Sequence, residues 1–326
     1  MDLFLPGATR GVLEAAADAI AHGEPAALAL VLETSGSTYV HAGALALFGS
    51  DGRQVGWLSG GCLEPEIALR AEEAVRTQTI QWLEIDTRHD EDLLSGSAVG
   101  CRGRLRIALL PLASLAPWPA LITAWRSRQG PLEVTLEPGG AASASVGMQQ
   151  SVHRFEVASV PWPDPPPAWT LSIARPPAVL VLGAGPETPL LLPMLRLLGI
   201  TTTLVERRPR WQSIGSDADV AIAQSPAQVL PAADGQFDAA LVMHHHFELD
   251  REALAALAES TIRFVGLLGP VRRREDLFRV LPATVRDALL PRLHSPAGLA
   301  IGGTGPEAIA LSIAAQLQNH LHGGRA

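Results

Sequence analysis

The chain has 326 residues, 47% of them hydrophobic, and a formal net charge of −8. This size and composition predict a folded protein of two domains, and the acidic charge excludes a surface for nucleic acid or for an anionic membrane. No apolar run is long enough to span a bilayer, the first residues lack the basic start of a signal peptide, and two cysteines do not make a disulfide framework. The expected location is therefore the cytoplasm.

All 25 basic residues are arginine. A Schiff base with pyridoxal phosphate and a P-loop phosphate site both need lysine, so neither chemistry is available to this chain. In particular, the protein cannot itself be a desulfurase that depends on pyridoxal phosphate.

The N-terminal part shows an α/β pattern. It predicts a domain over residues 1–112 with helices at 9–22 and 63–76, strands at 26–33, 79–85 and 104–110, and a hairpin turn at Asp51-Gly52. Residues 113–175 are less regular and include the Pro-rich stretch VPWPDPPPAW, which predicts an irregular region with a linker.

Strands and helices alternate over residues 176–326. Alternation of this length predicts a Rossmann-like, doubly wound parallel sheet. The predicted fold class is therefore α/β, with this C-terminal domain and a smaller N-terminal α/β domain.

The stretch GWLSGGCLEPEI places Cys62 after Gly60 and Gly61 and before a helix that begins near Glu64. The positive end of a helix dipole favours a thiolate, so Cys62 is predicted to be a functional thiol rather than a buried small apolar residue. Cys101 lies between glycines, and the arginines that follow it favour a thiolate in the same way. Because thiolates bind soft metals, both cysteines are candidate contacts to a metal or to incoming sulfur.

Two glycine turns precede helices in the C-terminal domain. Gly183-x-Gly185 follows the first strand, and Gly303-x-Gly305 repeats the same Gly-x-Gly-Pro-Glu sequence near the C-terminus. Such turns let a phosphate approach the backbone, and the helix N-terminus supplies N–H donors. For the second copy, a plain helix start with a favourably placed glutamate is the alternative interpretation.

Other residues of a nucleotide site accompany the first turn. Glu206 ends the second strand, where an acid commonly binds the ribose, although Thr188 replaces the third glycine of the fingerprint. His244, His245 and His246 follow a later strand, at the sheet edge that borders a ligand. Successive side chains of an extended segment point to opposite sides, so we expect one of them, His245, to line the crevice and no shared metal site.

These motifs resemble those of the XdhC/CoxI family. ETSGSTYVHAGALALFGSDGRQVGWLSGGCLEPEI is similar to the family's N-terminal signature, and VLGAGPE, VERRPRW, FVGLLGP and LHSPAGLAIGGTGPEAIALSIAAQL are similar to its Rossmann half. The resemblance implies an accessory factor for molybdenum hydroxylases such as xanthine dehydrogenase and CO dehydrogenase. Such a factor binds the molybdenum cofactor (molybdopterin), supports its sulfuration by a separate cysteine desulfurase and delivers it to the apo-hydroxylase. The resemblance also suggests a homodimer.

Three functions follow from these observations. The first is a molybdenum-cofactor chaperone, an accessory factor rather than an enzyme, with these cofactor-binding residues: Gly60, Gly61, Cys62, Glu64, Cys101, Gly183, Gly185, Glu206, His245, Gly303 and Gly305. The alternative is an NAD(P)-dependent oxidoreductase, which would reveal itself by hydride transfer and would hold its nucleotide in the Rossmann crevice. The third is an interaction module that recruits the hydroxylase without cofactor, whose function would survive Cys62→Ala.

Overall fold

The computed structural model describes residues 4–5, 8–88, 102–233 and 235–323. The chain divides into two compact units, Met1–Pro176 (unit 1) and Pro177–Ala326 (unit 2). Within the described ranges, no helix has both the length and the apolar character that crossing a membrane requires.

Unit 1 contains two sheets. The larger is mixed, with the strand order β1-β4-β3-β2-β6-β5-β10, and the smaller is antiparallel, with the order β11-β7-β8-β9. Its strands are β1 (Phe4–Leu5), β2 (Ala26–Gly36), β3 (Leu45–Gly49), β4 (Gln54–Val55), β5 (Thr79–Asp86), β6 (Gly103–Pro111), β7 (Leu132–Leu136), β8 (Ala141–Val146), β9 (Gln149–Arg154), β10 (Glu156–Val157) and β11 (Trp169–Ile173). Its helices are α1 (Thr9–His22), α2 (Glu64–Thr77) and α3 (Trp118–Arg126).

Two apolar layers hold unit 1 together. One joins the larger sheet to α1, α3 and the smaller sheet, and the other joins the larger sheet to α2. Burial alternates along β7 and β11, as expected for strands that turn one face to a core. The predicted hairpin is present, because β3 and β4 pair antiparallel on either side of Asp51-Gly52.

Residues 113–175 pack into unit 1, whereas their sequence predicts an irregular segment and a linker. They form α3 and the strands from β7 to β11. Trp162 and Trp169, at 4% and 5% exposure, contact the Trp82 ring with centroid separations of 6.2 and 5.4 Å. Large aromatic side chains contribute strongly to a core, so this cluster anchors the Pro-rich stretch and makes the N-terminal unit larger than predicted.

Unit 2 is a doubly wound parallel sheet. The strand order is β14-β13-β12-β15-β16-β17, and every neighbouring pair is parallel. The strands are β12 (Ala178–Leu182), β13 (Thr201–Val205), β14 (Val220–Ile222), β15 (Ala239–Val242), β16 (Val265–Leu267) and β17 (Leu293–His294). The helices are α4 (Thr188–Leu197), α5 (Pro226–Val229), α6 (Phe247–Ala258), α7 (Val271–Val280), α8 (Ala283–Leu289) and α9 (Gly305–His322).

This order confirms the predicted α/β class and its Rossmann-like C-terminal domain. The chain passes from β12 outward to β14, then returns to β15 on the other side of β12. The strand order therefore reverses between β12 and β15, the point where sheets of this kind usually bind ligands. Helices α4 and α9 pack on one face of the sheet, and α6, α7 and α8 on the other.

Candidate functional site

Cys62 lies in the loop between β4 and α2. Its side chain is exposed, and so are the two glycines before it, Gly60 and Gly61. A Cβ added at Gly60 would meet nothing within 4 Å, and Gly61 has φ +103°, a conformation that favours glycine. The loop therefore leaves the thiol accessible to a ligand or a partner.

A buried hydrogen-bond network fixes this loop from below. Glu64, the first residue of α2, is 4% exposed, and its Oε1 accepts the backbone N–H groups of Leu58 at 3.1 Å and Ser59 at 2.8 Å. The Ser59 hydroxyl donates to Glu64 Oε2 and lies 3.8 Å from the Cys62 Sγ. Glu64, a predicted cofactor contact, thus has its carboxylate turned inward to support the loop that carries Cys62.

Two depressions border the loop. A small pocket contains Cys62 and is lined in part by Thr87 and Gly103. A larger groove of about 330 Å³ is bordered by Trp57 and Gly61, among others. This volume lies within the range of small-molecule sites.

The second cysteine cannot be located by this geometry. Cys101 lies outside the described residues, in the segment 89–101. Thr87 and Gly103, which come shortly before and after that segment in the chain, line the Cys62 pocket. Over the residues that the structure describes, no group of three or more His, Cys, Asp and Glu side chains could hold a metal ion.

The first glycine turn of unit 2 joins β12 to α4 at the point where the strand order reverses. Gly183 and Gly185 are buried, and Gly183 has φ +87°. A Cβ at Gly183 would lie 2.6 Å from the His244 Cα, and one at Gly185 would lie 2.6 Å from the His245 Nε2. Glycine is needed at both positions because the segment after β15 packs directly on the turn.

The N–H groups of this turn donate to side chains of the protein itself. The Ala184 N–H donates to Glu206 Oε2 at 2.9 Å, and the Gly185 N–H donates to Thr188 Oγ1 at 2.9 Å; both hydrogen bonds are buried. Thr188, which replaces the third glycine of the nucleotide fingerprint, therefore caps the turn.

Arg208 links three strand ends at the same place. Its guanidinium donates to both Glu206 oxygens, to the Ala184 carbonyl at 2.8 Å and to the His244 carbonyl at 2.8 Å. We call this set (Arg208 with Glu206, Ala184 and His244) the arginine clasp. Burial alone would raise the pKa of Glu206, but hydrogen bonds and charge from Arg208 hold it below its ordinary value. The carboxylate that the sequence assigned to a ribose is thus engaged inside the protein.

His245 presents the most exposed polar side chain of this cluster. Its side chain is 46% exposed, and its Nε2 lies 3.0 Å from Oε1 of Glu187, whose side chain is only 2% exposed. Its φ of +53° is unusual for a residue other than glycine. The hydrogen bond to Glu187 raises the pKa of the imidazole above its ordinary value, and this effect outweighs burial.

A second histidine pair lies beneath His245. His244 is 4% exposed, and its Nδ1 lies 3.1 Å from Oδ1 of Asp250. Arg273 donates to the other Asp250 oxygen at 2.6 Å. Burial alone would raise the pKa of Asp250, but His244 and Arg273 lower it below its usual range. This group therefore holds its charges in the interior.

The second glycine turn has a different setting. Gly303 and Gly305 are exposed, with φ values of +85° and +87°. The nearest neighbours of a Cβ added at these glycines would be Ala308 and Glu307, both in α9 itself. The described contacts therefore do not bring the two predicted turns into one phosphate site.

Sequence reasoning missed the supporting roles of Ser59, Thr188, Glu187 and Asp250. It also treated Arg208 only as a charge near a nucleotide. One signal was available: Arg208 follows Glu206 by two residues in extended backbone, and such residues point to the same side. No comparable local signal links Glu187 to His245, because their contact joins segments that are far apart in the chain.

These features define an α/β protein of two units, one with an exposed cysteine loop and one with a Rossmann sheet whose switch point holds histidines and paired charges. The profile of the XdhC and CoxI family matches residues 19–86, and that of the XdhC Rossmann domain matches residues 179–317. The chain belongs to the XdhC/CoxI family.

Individual relatives agree with this assignment. A protein of Bacillus subtilis (strain 168), named as a probable xanthine dehydrogenase subunit, is 28% identical over 324 residues, which cover 90% of this chain and 92% of the relative. A crystal structure of a xanthine dehydrogenase from Bacillus halodurans has a TM-score of 0.76 and 28% identity, with 96% of each chain covered. The uncharacterized protein YqeB of Escherichia coli (strain K12) is 40% identical over 80 residues, 23% of this chain and 15% of YqeB.

Proposed function

We propose that this protein is a maturation factor for a molybdenum hydroxylase of the xanthine dehydrogenase type. It binds the molybdenum cofactor, holds it while a partner supplies sulfur, and passes it to the apo-hydroxylase. Family membership and the name of the Bacillus subtilis relative support the link to xanthine dehydrogenase. The observation that carries the proposal is the exposed Cys62 thiol on a loop fixed by buried hydrogen bonds.

The residues present fit the cofactor. A thiolate suits a soft metal centre or its sulfur ligands, and Cys62 is accessible beside two exposed glycines. In our proposal Cys62 meets the metal or the incoming sulfur, and the groove beside Trp57 receives the organic part of the cofactor. Ser59 and Glu64 are positioning residues, because they fix the loop that carries the thiol. The cofactor, when bound, supplies the metal centre that the hydroxylase needs.

Sulfuration would need a partner. The chain contains no lysine, so it cannot form the Schiff base on which a pyridoxal-phosphate desulfurase depends. We therefore include a cysteine desulfurase and the apo-hydroxylase as partners. The homodimer and the cytoplasmic location stay predictions.

The oxidoreductase alternative rests on the Rossmann strand order of unit 2. Against it, both Glu206 oxygens and the N–H groups of Ala184 and Gly185 are engaged by the protein's own groups. Spectrophotometric turnover of NADH or NADPH with candidate acceptors would identify such an enzyme, whereas a maturation factor shows no hydride transfer.

Activation of an apo-hydroxylase tests the proposal. Cofactor-free xanthine dehydrogenase is incubated with molybdenum cofactor, a desulfurase and either the wild-type protein or Cys62→Ser, and recovered xanthine oxidation is measured. We expect the variant to activate the hydroxylase less than wild type by about tenfold or more, the scale seen when residues of a metal site are altered.

Glu66→Gln is the matched control, because Glu66 is an exposed residue in the first turn of α2. This variant should activate like the wild type. Full activation by Cys62→Ser would contradict the role of the thiol and favour an interaction module.

A further inference from the structure

The Rossmann unit has the strand order of a dinucleotide-binding protein, so its first glycine turn can be tested for fit to NAD or NADP. In that mode of binding, the backbone N–H groups of the turn meet a pyrophosphate and the acid that ends the second strand meets a ribose. Unit 2 has both the turn and the acid, and their hydrogen bonds decide whether either is free for a ligand.

The backbone donors are already used. The Ala184 N–H donates to Glu206 at 2.9 Å, and the Gly185 N–H donates to Thr188 Oγ1 at 2.9 Å. A pyrophosphate would have to displace both buried acceptors. It would also approach Glu187, whose Oε1 lies 2.7 Å from the position that a Cβ on Gly185 would take.

The ribose acid is used as well. Arg208 donates to both oxygens of Glu206, and the same guanidinium bridges the Ala184 and His244 carbonyls. The arginine clasp thus ties β12 and β15 together at the place where the strand order reverses. Opening it would leave a buried carboxylate without its partner, which is costly.

The turn also supports a histidine. The His245 ring lies against Gly185, where a Cβ would come within 2.6 Å of Nε2, and Glu187 from the same turn holds that nitrogen at 3.0 Å. The small residue and the buried carboxylate together fix a half-exposed imidazole. The charged groups around it are Glu187, Asp250 and Arg273, with the arginine clasp beside them.

We propose that the first glycine turn of unit 2 is closed to dinucleotides and serves instead as the support of His245. Glu206, Thr188 and Arg208 occupy the donors and the crevice, and Glu187 orients the imidazole. This inference goes beyond the proposed function and does not depend on Cys62, so either can fail without the other.

The experiment follows the amide and imidazole signals of the isotope-labelled full chain by NMR, with NAD and NADP as probes. The amide signals of Ala184 and Gly185 should stay in place up to millimolar concentrations of either dinucleotide. The His245 imidazole should titrate above its ordinary pH, and Glu187→Gln should lower that midpoint.

Hydrogen exchange supplies a positive readout of closure. Thr188→Val removes the acceptor with little change of shape, so exchange of the Gly185 amide should rise about fivefold to tenfold, as expected for loss of one hydrogen bond. Thr201→Val, which removes a hydroxyl bonded to the Pro177 carbonyl at the far end of β13, is the control and should leave that amide unchanged.

Two results would overturn the inference. One is saturable binding of NAD or NADP to the wild-type protein that shifts the Ala184 and Gly185 amides. The other is an unchanged Gly185 exchange rate in Thr188→Val. Dinucleotide binding that leaves these amides in place agrees with a closed turn, because the ligand then lies elsewhere.

Discussion

The two glycine turns of unit 2 share the sequence Gly-x-Gly-Pro-Glu and differ in almost every structural respect. The first, at Gly183–Glu187, is buried against the segment that follows β15, and the protein's own side chains accept its N–H groups. The second, at Gly303–Glu307, is exposed at the start of α9. A glycine motif therefore specifies backbone shape, whereas the surrounding side chains decide whether a ligand can reach it.

The largest difference is expected from alanine at equivalent glycines. Gly183→Ala forces a Cβ within 2.6 Å of the His244 Cα at a φ of +87°, so unfolding free energy should fall by about 4 kcal/mol or more. Gly305→Ala meets only the end of the flexible Glu307 side chain at 3.2 Å, and the cost should be the left-handed backbone strain of about 1–2 kcal/mol. Urea unfolding of both variants checks this, and equal losses would contradict the comparison.

The next effect concerns the arginine clasp. Arg208→Ala leaves Glu206 buried without its partner, so we expect a loss of about 3 kcal/mol in unfolding free energy. The control is Arg272→Ala, because Arg272 is 90% exposed and lies 4.0 Å from Asp276; its effect should stay within about 0.5 kcal/mol. If thermal melts showed similar small losses for both, the clasp would not hold the first turn.

The smallest effect is a pH dependence that only the first turn should show. The folded-state pKa of His245 is raised by Glu187, so its contribution to stability is complete below the unfolded value of about 6.5 and is lost as pH rises through the folded value. Urea midpoints of the wild type should fall over this range. Glu187→Gln should remove that part of the fall, and identical pH profiles would show that the pair is not coupled to folding.

Much of the architecture was predictable because it depends on local patterns. The apolar run 178–182 followed by a glycine turn and a helix predicts β12, the turn and α4, and the positive φ of Gly183 follows from the same motif. Helix α1 spans the predicted residues 9–22, because its apolar spacing is helical.

What the sequence did not reveal depends on contacts between distant segments. Thr188 stands where the motif lacks a glycine and acts as a hydroxyl cap, and Glu206 has the position of a ribose ligand but is occupied by Arg208. The Pro-rich stretch has the composition of a linker, yet its anchor, Trp162 against Trp82, joins residues 80 positions apart. Composition alone cannot show which distant ring a tryptophan will meet.

Anaerobic titration of the purified protein with molybdenum cofactor, wild type beside Cys62→Ser and with NAD as a parallel ligand, tests the central claim most directly. Our account predicts tight cofactor binding by the wild type, weaker binding by the variant, and no NAD signal from the first glycine turn. Equal cofactor binding by both proteins would contradict the role of Cys62. NAD binding alone would contradict the chaperone assignment and turn attention to an oxidoreductase.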